Sequence, residues 1–173
     1  ASSEVDFVVT MVPVGSNVRE IFLEDGILAA AAPGTVMIDS STIDVGSAQA
    51  VHEAAKSAGF NMIDAPVSGG VIGADAGTLT FMCGGDKDSF EKAKPILQGM
   101  GKNIVHCGSG GLGQATKICN NMLAGINALA AAEAMTMGER LGVPPDTLYE
   151  VISTSTGRSY IFETSNPMPD VCS

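Results

Sequence analysis

Basic residues are scarce in this sequence of 173 residues. It contains nine Lys and Arg against 19 Asp and Glu, which gives a formal net charge of −10, and the basic residues are scattered along the chain. Nucleic-acid phosphates are bound by clustered Lys and Arg side chains. The composition therefore argues against a nucleic-acid-binding surface.

Long apolar runs and regular cysteine spacings are also missing. The least charged stretch, residues 122–135, is interrupted by Asn127 and Glu133, so we expect no segment that spans a bilayer. The cysteines form no C-x-x-C pair, and we interpret them as buried thiols of an intracellular protein without a metal site. They are Cys83, Cys107, Cys119 and Cys172.

Glycine and small apolar residues are plentiful. The chain has 21 Gly, 45% apolar residues and only 16% charged residues, against about 25% charged in an average protein. Such a chain can bury a sizeable core, which excludes intrinsic disorder. Its length suits one domain, or one domain and part of a second.

The first 110 residues alternate apolar strands with helices, a pattern that predicts βαβ units around a parallel sheet. The predicted strands cover residues 6–12, 36–38, 60–63, 78–83 and 103–107. The predicted helices cover residues 16–31, with Ser16 as its cap, 44–58 and 87–99.

The pattern after residue 110 is helical. A continuous helix is predicted from Gly113 to Leu141, and a second one runs from Pro144 to Ile152. We therefore place a domain boundary near residue 110, with an α/β part over 1–110 and an all-α part over 111–173.

Residues 108–113, Gly-Ser-Gly-Gly-Leu-Gly, have the G-x-G-x-x-G spacing of a dinucleotide-binding turn. Such a turn also needs a short helix, a following strand and an acidic residue about 20 positions on. Glu133 has that spacing but lies inside the predicted long helix. A glycine hinge between two domains is the favoured interpretation, and a dinucleotide turn is the alternative.

Lys117 is the only basic residue between Lys102 and Arg140, and it lies about one turn into the long helix. Asn121 follows at i+4, so the two side chains share a helix face. The positive end of the helix dipole and apolar neighbours both lower a lysine pKa, which suits a general acid or base. A solvated surface lysine is an equal alternative on spacing alone.

Ser68, Gly69 and Gly70 follow a predicted strand end. A hydroxyl and two unobstructed backbone N–H groups suit a carboxylate, and ligands of parallel sheets collect beyond the carboxyl ends of the strands. A simple glycine turn is the alternative. In the same way, Ser40, Ser41 and Thr42 could form a helix cap.

Four motifs occur in a fixed order along the chain: DSST at 39–42, DAPVSGG at 64–70, GTLTFM at 77–82 and G-x-G-x-x-x-K-x-x-x-N at 111–121. Together they resemble the 3-hydroxyisobutyrate dehydrogenases, members of the β-hydroxyacid dehydrogenases, over essentially the whole chain. The resemblance implies a Rossmann-type domain for NAD, followed by a long interdomain helix and a helical domain. We expect an incomplete chain that lacks the N-terminal glycine-rich motif and the C-terminal helical part of that family.

The resemblance also implies roles for individual residues. Lys117 would be the catalytic acid or base, and Asn121 would help to hold the substrate. Ser68, Gly69 and Gly70 would bind the substrate carboxylate. The residues implied to line the NAD site are Val12, Pro13, Asn17 and Thr42.

The implied reaction is the NAD-dependent oxidation of 3-hydroxyisobutyrate to methylmalonate semialdehyde, a step of valine breakdown. One alternative is a reductase of tartronate semialdehyde or another short β-hydroxy acid, and another is a truncated, non-catalytic oligomerising fragment. The expected partners are a small-molecule substrate and further copies of the chain in a dimer or tetramer. The expected compartment is the mitochondrial matrix in a eukaryote and the cytoplasm in a bacterium.

Overall fold

The computed structural model describes residues 4–23 and 26–165. The described residues form two compact units that divide between Ile118 and Cys119. The expected thiol Cys172 and the last residues of the predicted helical part, 166–173, lie outside the described residues, as do two residues of the helix predicted over 16–31.

The first unit contains one sheet of six strands among the described residues. The strands are β1 (Phe7–Thr10), β2 (Val36–Asp39), β3 (Asn61–Asp64), β4 (Val67–Ser68), β5 (Leu79–Gly84) and β6 (Gly101–Gly108). The helices that alternate with them are α1 (Gly15–Phe22), α2 (Ile27–Ala30), α3 (Val45–Ser57), α4 (Gly70–Asp75) and α5 (Lys87–Gln98). The α/β fold class predicted from the sequence is confirmed.

The sheet is mixed, so the prediction of a parallel sheet is wrong where β5 pairs with β3 and β4. The strands β1, β2 and β3 are parallel neighbours, β5 runs antiparallel to β3 and β4, and β6 runs parallel to β5. A parallel crossover needs a dozen or more connecting residues. The link from β4 to β5 has only residues 69–78, which include the short helix α4, and therefore it reverses the chain direction.

Helices cover both faces of the sheet. On one face, Val18 and Phe22 of α1 and Val51 of α3 pack with Met37 and Met62 of the strands. The opposite face packs against α5 through Phe90, Ala93 and Leu97. Because strand side chains alternate between faces, Ile38 and Ile63, next to those two methionines, belong to this second core.

The helix predicted over residues 16–31 is divided into α1 and α2. Leu23 has an extended backbone after α1, and the Gly26 N–H donates to the Leu23 carbonyl in a turn. Ser16 is not the cap: Val14 precedes the helix and gives no side-chain cap bond. By contrast, Asp44 begins α3 as predicted, because its carboxylate accepts from the Ser47 N–H at 2.8 Å.

The cysteines of the described residues are free, but they are not all buried. Only Cys83 is buried, whereas Cys107 is half-buried and Cys119 is exposed. Cys107 lies on β6 and Cys119 lies on the long helix of residues 112–140. Burial raises the pKa of the Cys83 thiol to about 12, which keeps it protonated.

The second unit is helical and contains most of α6 (Leu112–Arg140), with α7 (Pro145–Ser153) and α8 (Tyr160–Thr164). Its small core contains Ala131, Met135 and Phe162, and the Phe162 ring stacks on Tyr149 with 5.5 Å between centroids. The helix α8 was not predicted; Ser159 caps it by accepting from the Phe162 N–H at 3.1 Å. None of the described helices has the length and apolarity that a membrane crossing requires.

A matched pair of isoleucines tests this assignment of the core. Ile63 is fully buried in β3 and Ile72 is 85% exposed in α4. We expect Ile63→Ala to lower the free energy of unfolding by about 2–5 kcal/mol, and Ile72→Ala to change it by less than about 0.5 kcal/mol. Urea unfolding of both variants measures this, and equal effects would contradict the described sheet.

Candidate functional site

Three polar residues end the parallel strands in register. Thr10 of β1 lies beside Asp39 of β2, and Asp39 lies beside Asp64 of β3. Both carboxylates are buried. This row defines the carboxyl edge of the sheet, where ligands of open α/β sheets bind.

The first carboxylate of the row joins the loops that follow β1 and β2. Asp39 accepts from the hydroxyl of Thr10 at 2.8 Å and from that of Ser41 at 2.6 Å. The Ser41 oxygen in turn accepts from the Val12 N–H at 2.8 Å. Burial raises the pKa of Asp39, and the hydrogen bonds from Ser41 and Thr10 oppose that rise. Because Asp44 caps α3, the helix-cap interpretation of residues 40–42 is wrong: Ser41 connects two loops instead.

The second carboxylate holds the start of α6. Asp64 is 1% exposed. Its Oδ1 accepts from the N–H of Gly111 at 2.8 Å and its Oδ2 accepts from the N–H of Gln114 at 2.9 Å. His52 of α3 lies with Nε2 2.8 Å from Oδ1; since a carboxylate can only accept, we assign the proton to Nε2.

Gln114 extends this contact to the loop after β2. Its side chain is fully buried; its Nε2 donates to the Ser41 carbonyl at 2.7 Å and its Oε1 accepts from the Ile43 N–H at 3.1 Å. The first turn of α6 is therefore bonded to β3 through its backbone and to residues 41–43 through this side chain.

The glycine run 108–113 forms the tight turn that delivers α6 to Asp64. Gly111 has φ +86°, and a Cβ on Gly110 would lie 2.5 Å from Cγ of His52. Two of the N–H groups that could bind a dinucleotide phosphate at this helix start, those of Gly111 and Gln114, already donate to Asp64. In the described chain α6 continues for 29 residues, and no strand follows it. The dinucleotide-turn alternative for residues 108–113 is therefore wrong.

An open groove of about 630 Å³ lies beside the loop after β1. It is lined by Val12, Pro13 and Asn17, three of the four residues expected at the NAD site, with Ile21 and Ile27 among its apolar walls. Thr42, the fourth, is exposed after β2 and is not part of that lining.

Lys117 and Asn121 both lie on α6, as the sequence predicts. Lys117 is half-buried, and burial lowers its pKa below the ordinary lysine value. Asn121 is exposed and lies about 6 Å further along the helix, at 1.5 Å per residue.

Ser68, Gly69 and Gly70 lie where β4 turns into α4. Ser68 is half-buried and pairs with Thr80 of β5, and Gly69 has φ +133°, a backbone conformation that side chains with a Cβ rarely adopt. Since β4 continues in the direction of β3, this turn lies past the carboxyl edge of the parallel strands.

Two residues of this edge, His52 and Gln114, were not singled out from the sequence, and Asp64 was noted only as part of a motif. Asp64 could have been singled out from the sequence, because it comes directly after the predicted strand 60–63. The carboxyl end of a strand is the place where ligands bind in α/β sheets. No group of three or more His, Cys, Asp or Glu side chains suited to a metal ion occurs among residues 4–23 and 26–165.

Two glycines of the same helix test the close fit of α6. A Cβ on Gly113 would collide with the Met82 carbonyl and lie 2.7 Å from Oδ2 of Asp64, whereas Gly125 faces open space. We expect Gly113→Ala to destabilise the chain by about 1–3 kcal/mol and Gly125→Ala to stabilise it by up to about 1 kcal/mol. Chemical unfolding measures both values; a neutral Gly113→Ala would contradict the docking of α6 on Asp64.

Comparison with protein families and known proteins agrees with this architecture. Residues 1–108 match the model of the NAD binding domain of 6-phosphogluconate dehydrogenase. Residues 111–171 match the model described as NAD-binding of NADP-dependent 3-hydroxyisobutyrate dehydrogenase.

Individual relatives cover almost all of the chain. A probable 3-hydroxyisobutyrate dehydrogenase of Mycobacterium tuberculosis is 47% identical over 169 residues, which are 98% of this chain and 57% of the relative. An NAD-dependent L-serine dehydrogenase of Pseudomonas aeruginosa is 46% identical over 96% of this chain and 56% of its own length. The chain thus spans somewhat more than half the length of these curated relatives.

A solved structure, the 3-hydroxyisobutyrate dehydrogenase of Mycobacterium tuberculosis with L-serine, has a TM-score of 0.92 and 46% identity. The match covers 99% of this chain and 58% of that one. Over almost its whole length the chain is thus similar to 3-hydroxyisobutyrate dehydrogenases, and by the model that matches its first 108 residues it belongs to the family of the NAD binding domain of 6-phosphogluconate dehydrogenase.

Proposed function

We propose that this chain forms the part of an NAD-dependent 3-hydroxyisobutyrate dehydrogenase that binds the substrate carboxylate and moves the substrate's hydroxyl proton. The observation that carries the proposal is the half-buried Lys117, whose helix starts on the carboxyl edge of the sheet. A lowered pKa increases the fraction of neutral lysine at a given pH, and a neutral lysine can accept a proton.

The groove after β1 fits one portion of an NAD-type cofactor. Its volume is in the range of small-molecule sites, Ile21 and Ile27 offer apolar walls, and the Asn17 amide can bond to a polar edge. The bond from the Val12 N–H to Ser41 holds one wall in place. When bound, NAD accepts the hydride that the substrate alcohol loses.

The chain's own residues supply binding and proton transfer. Ser68 and the N–H groups of Gly69 and Gly70 bind the substrate carboxylate, which fixes the hydroxyl-bearing carbon. The neutral Nζ of Lys117 takes the hydroxyl proton as that carbon becomes an aldehyde, and Asn121 helps to hold the substrate. Orientation of this kind supplies a large part of an enzymatic rate.

L-Serine is a second candidate substrate. It shares the carboxylate and the 3-hydroxyl with 3-hydroxyisobutyrate but carries an ammonium group in place of the methyl group. A relative of nearly equal identity is named an NAD-dependent L-serine dehydrogenase, and a similar solved structure contains L-serine. The turn at Ser68–Gly70, called the carboxylate turn below, can bind the carboxylate of either substrate, and Lys117 can take the hydroxyl proton of either.

NADH formation by the gene product that contains these 173 residues tests the proposal. Assays compare 3-hydroxyisobutyrate, L-serine and, in reverse, tartronate semialdehyde. If kcat/KM is highest for 3-hydroxyisobutyrate, the result supports the proposal. If it is highest for L-serine or tartronate semialdehyde, that compound is the substrate instead. A protein that neither binds NAD nor oxidises any of these acids would be the non-catalytic alternative.

Assembly as a dimer or tetramer belongs to the same proposal and is measured by light scattering.

Removal of the proposed general base should abolish most turnover. We expect Lys117→Ala to lower kcat by about 10²–10⁴-fold, the usual contribution of acid–base catalysis, with unchanged affinity for NAD. Lys102→Ala, which removes an exposed lysine of β6, is the control and should keep kcat. A fall of less than threefold for Lys117→Ala would refute the assignment.

The pH dependence of oxidation should report the same lysine. Only neutral Lys117 can accept the hydroxyl proton, so kcat/KM rises with pH as this residue is deprotonated. Because burial lowers the Lys117 pKa, the midpoint of the rise should lie below the ordinary lysine pKa of about 10.4. The Lys117→Ala variant should lack this rise, and an identical profile in both proteins would contradict it.

The carboxylate turn is tested best through its hydroxyl, because the positive φ of Gly69 makes a substitution there strained in any case. We expect Ser68→Ala to raise the KM for the hydroxy acid by about 10- to 100-fold, since a hydrogen bond to a charged group contributes about 1.5–3 kcal/mol. The KM for NAD should not change. Ser57→Ala, at an exposed site of α3, is the control, and an unchanged substrate KM in Ser68→Ala would favour a simple glycine turn.

A further inference from the structure

Asp64 connects the two parts of the proposed substrate site, the carboxylate turn at Ser68–Gly70 and the base Lys117. Four residues after it along the chain, Ser68 begins the carboxylate turn. Three residues after its partner Gln114, Lys117 presents the proposed base. Its carboxylate accepts from the N–H groups of Gly111 and Gln114 at the start of α6.

The path from Asp64 to the carboxylate turn is a stiff one. Asp64 pairs with Gly84 and Ser68 pairs with Thr80, both on β5. The two residues therefore belong to one antiparallel ladder, about 13 Å apart at 3.3 Å per residue. Asp64 thus has a fixed place relative to Ser68.

The path from Asp64 to Lys117 is equally short. One carboxylate oxygen bonds to the N–H of Gly111, the residue before α6, and the other bonds to the N–H of Gln114 in its first turn. Lys117 follows Gln114 by about 4.5 Å of helix rise. Two bonds to a rigid helix fix its direction as well as its position, so a displaced carboxylate displaces Lys117.

His52 fixes the carboxylate itself. Its ring bonds to Oδ1 from α3, and its side chain is only 15% exposed. The glycine run 108–113 lies directly against the His52 ring at Gly110. The buried carboxylate of Asp64 thus meets three donors, the His52 ring and the N–H groups of Gly111 and Gln114, and turning away from them would leave buried polar groups unpaired.

Resting on the proposed function, we infer that Asp64 is a positioning residue. It holds Lys117 at a set distance from the carboxylate turn at Ser68–Gly70, and His52 orients its carboxylate. Asp64 does not touch substrate in this account; it acts through α6.

The test is Asp64→Asn in the gene product that contains this chain. An amide keeps the size of the side chain but has one acceptor oxygen, so in either orientation an NH₂ group faces a backbone N–H of α6. A displacement of about 1 Å at a reacting group can lower a rate by about 10²-fold. We expect kcat to fall about 30- to 100-fold while the Kd for NAD stays within threefold.

Asp86→Asn is the matched control. Asp86 caps α5 in the same chemical way, by accepting from the Ser89 N–H at 2.8 Å, and it does not bond to α6. It should keep kcat within twofold. If Asp64→Asn does not fold, His52→Ala is the milder variant, with an expected fall of kcat of about 3- to 10-fold.

A second measurement does not depend on turnover. Amines are modified with trinitrobenzenesulfonate, and the labelling of Lys117 relative to Lys102 is read from the peptides by mass spectrometry. The ratio should change at least threefold in Asp64→Asn, or in His52→Ala, and not in Asp86→Asn. If the unaltered protein oxidises no hydroxy acid, the proposed function fails, while this ratio still tests Asp64. An unchanged ratio, or a kcat within twofold in the folded Asp64 or His52 variant, would overturn the inference.

Discussion

The structure of the first unit depends on one buried carboxylate, that of Asp64. An ionised carboxylate loses much hydration free energy when it leaves water, and it is tolerated only where hydrogen bonds replace that hydration. Here two backbone N–H groups of α6 and the ring of His52 replace it. The same bonds satisfy donors at a helix start that would otherwise be unpaired. One interaction therefore joins β3, α3 and α6, and none of the three can move alone without leaving a buried polar group unsatisfied.

The proposed chemistry follows from where that carboxylate lies. The row of Thr10, Asp39 and Asp64 is in register across three strands, so each loop after it begins at the same edge. Asp39 bonds to Ser41, which in turn holds the groove residue Val12, while Asp64 bonds to the start of the helix of Lys117. The proposed cofactor groove and the proposed base are thus both joined to neighbouring carboxylates of one sheet. The second unit, which contains the rest of α6 with α7 and α8, has its own small core.

Local patterns in the sequence predict the elements but not the contacts that give the site its geometry. Apolar runs such as 36–38 and the Asp44 cap identify strands and helix starts, because these signals lie within a few residues. The strand β4 has only two residues, so it shows no alternation of apolar and polar side chains by which the sequence could predict it. The short connection from β4 to β5 makes β5 antiparallel. The glycine run 108–113 has the spacing of a phosphate turn, although the long helix predicted after it favours a hinge. The choice depends on Asp64, which is 47 and 50 residues distant from the two N–H groups it accepts from; no local pattern encodes such a pair.

Amide hydrogen exchange of this chain, resolved by residue with NMR, tests most directly whether Asp64 holds α6. First-turn N–H groups of a helix normally have no partner within the helix and exchange rapidly. If Asp64 holds α6, the Gly111 and Gln114 amides exchange as slowly as the central amides of β2 and β3, and Asp64→Asn accelerates both at least tenfold. Exchange of these two amides at the rate of an unstructured peptide, or no acceleration in Asp64→Asn, would contradict the account.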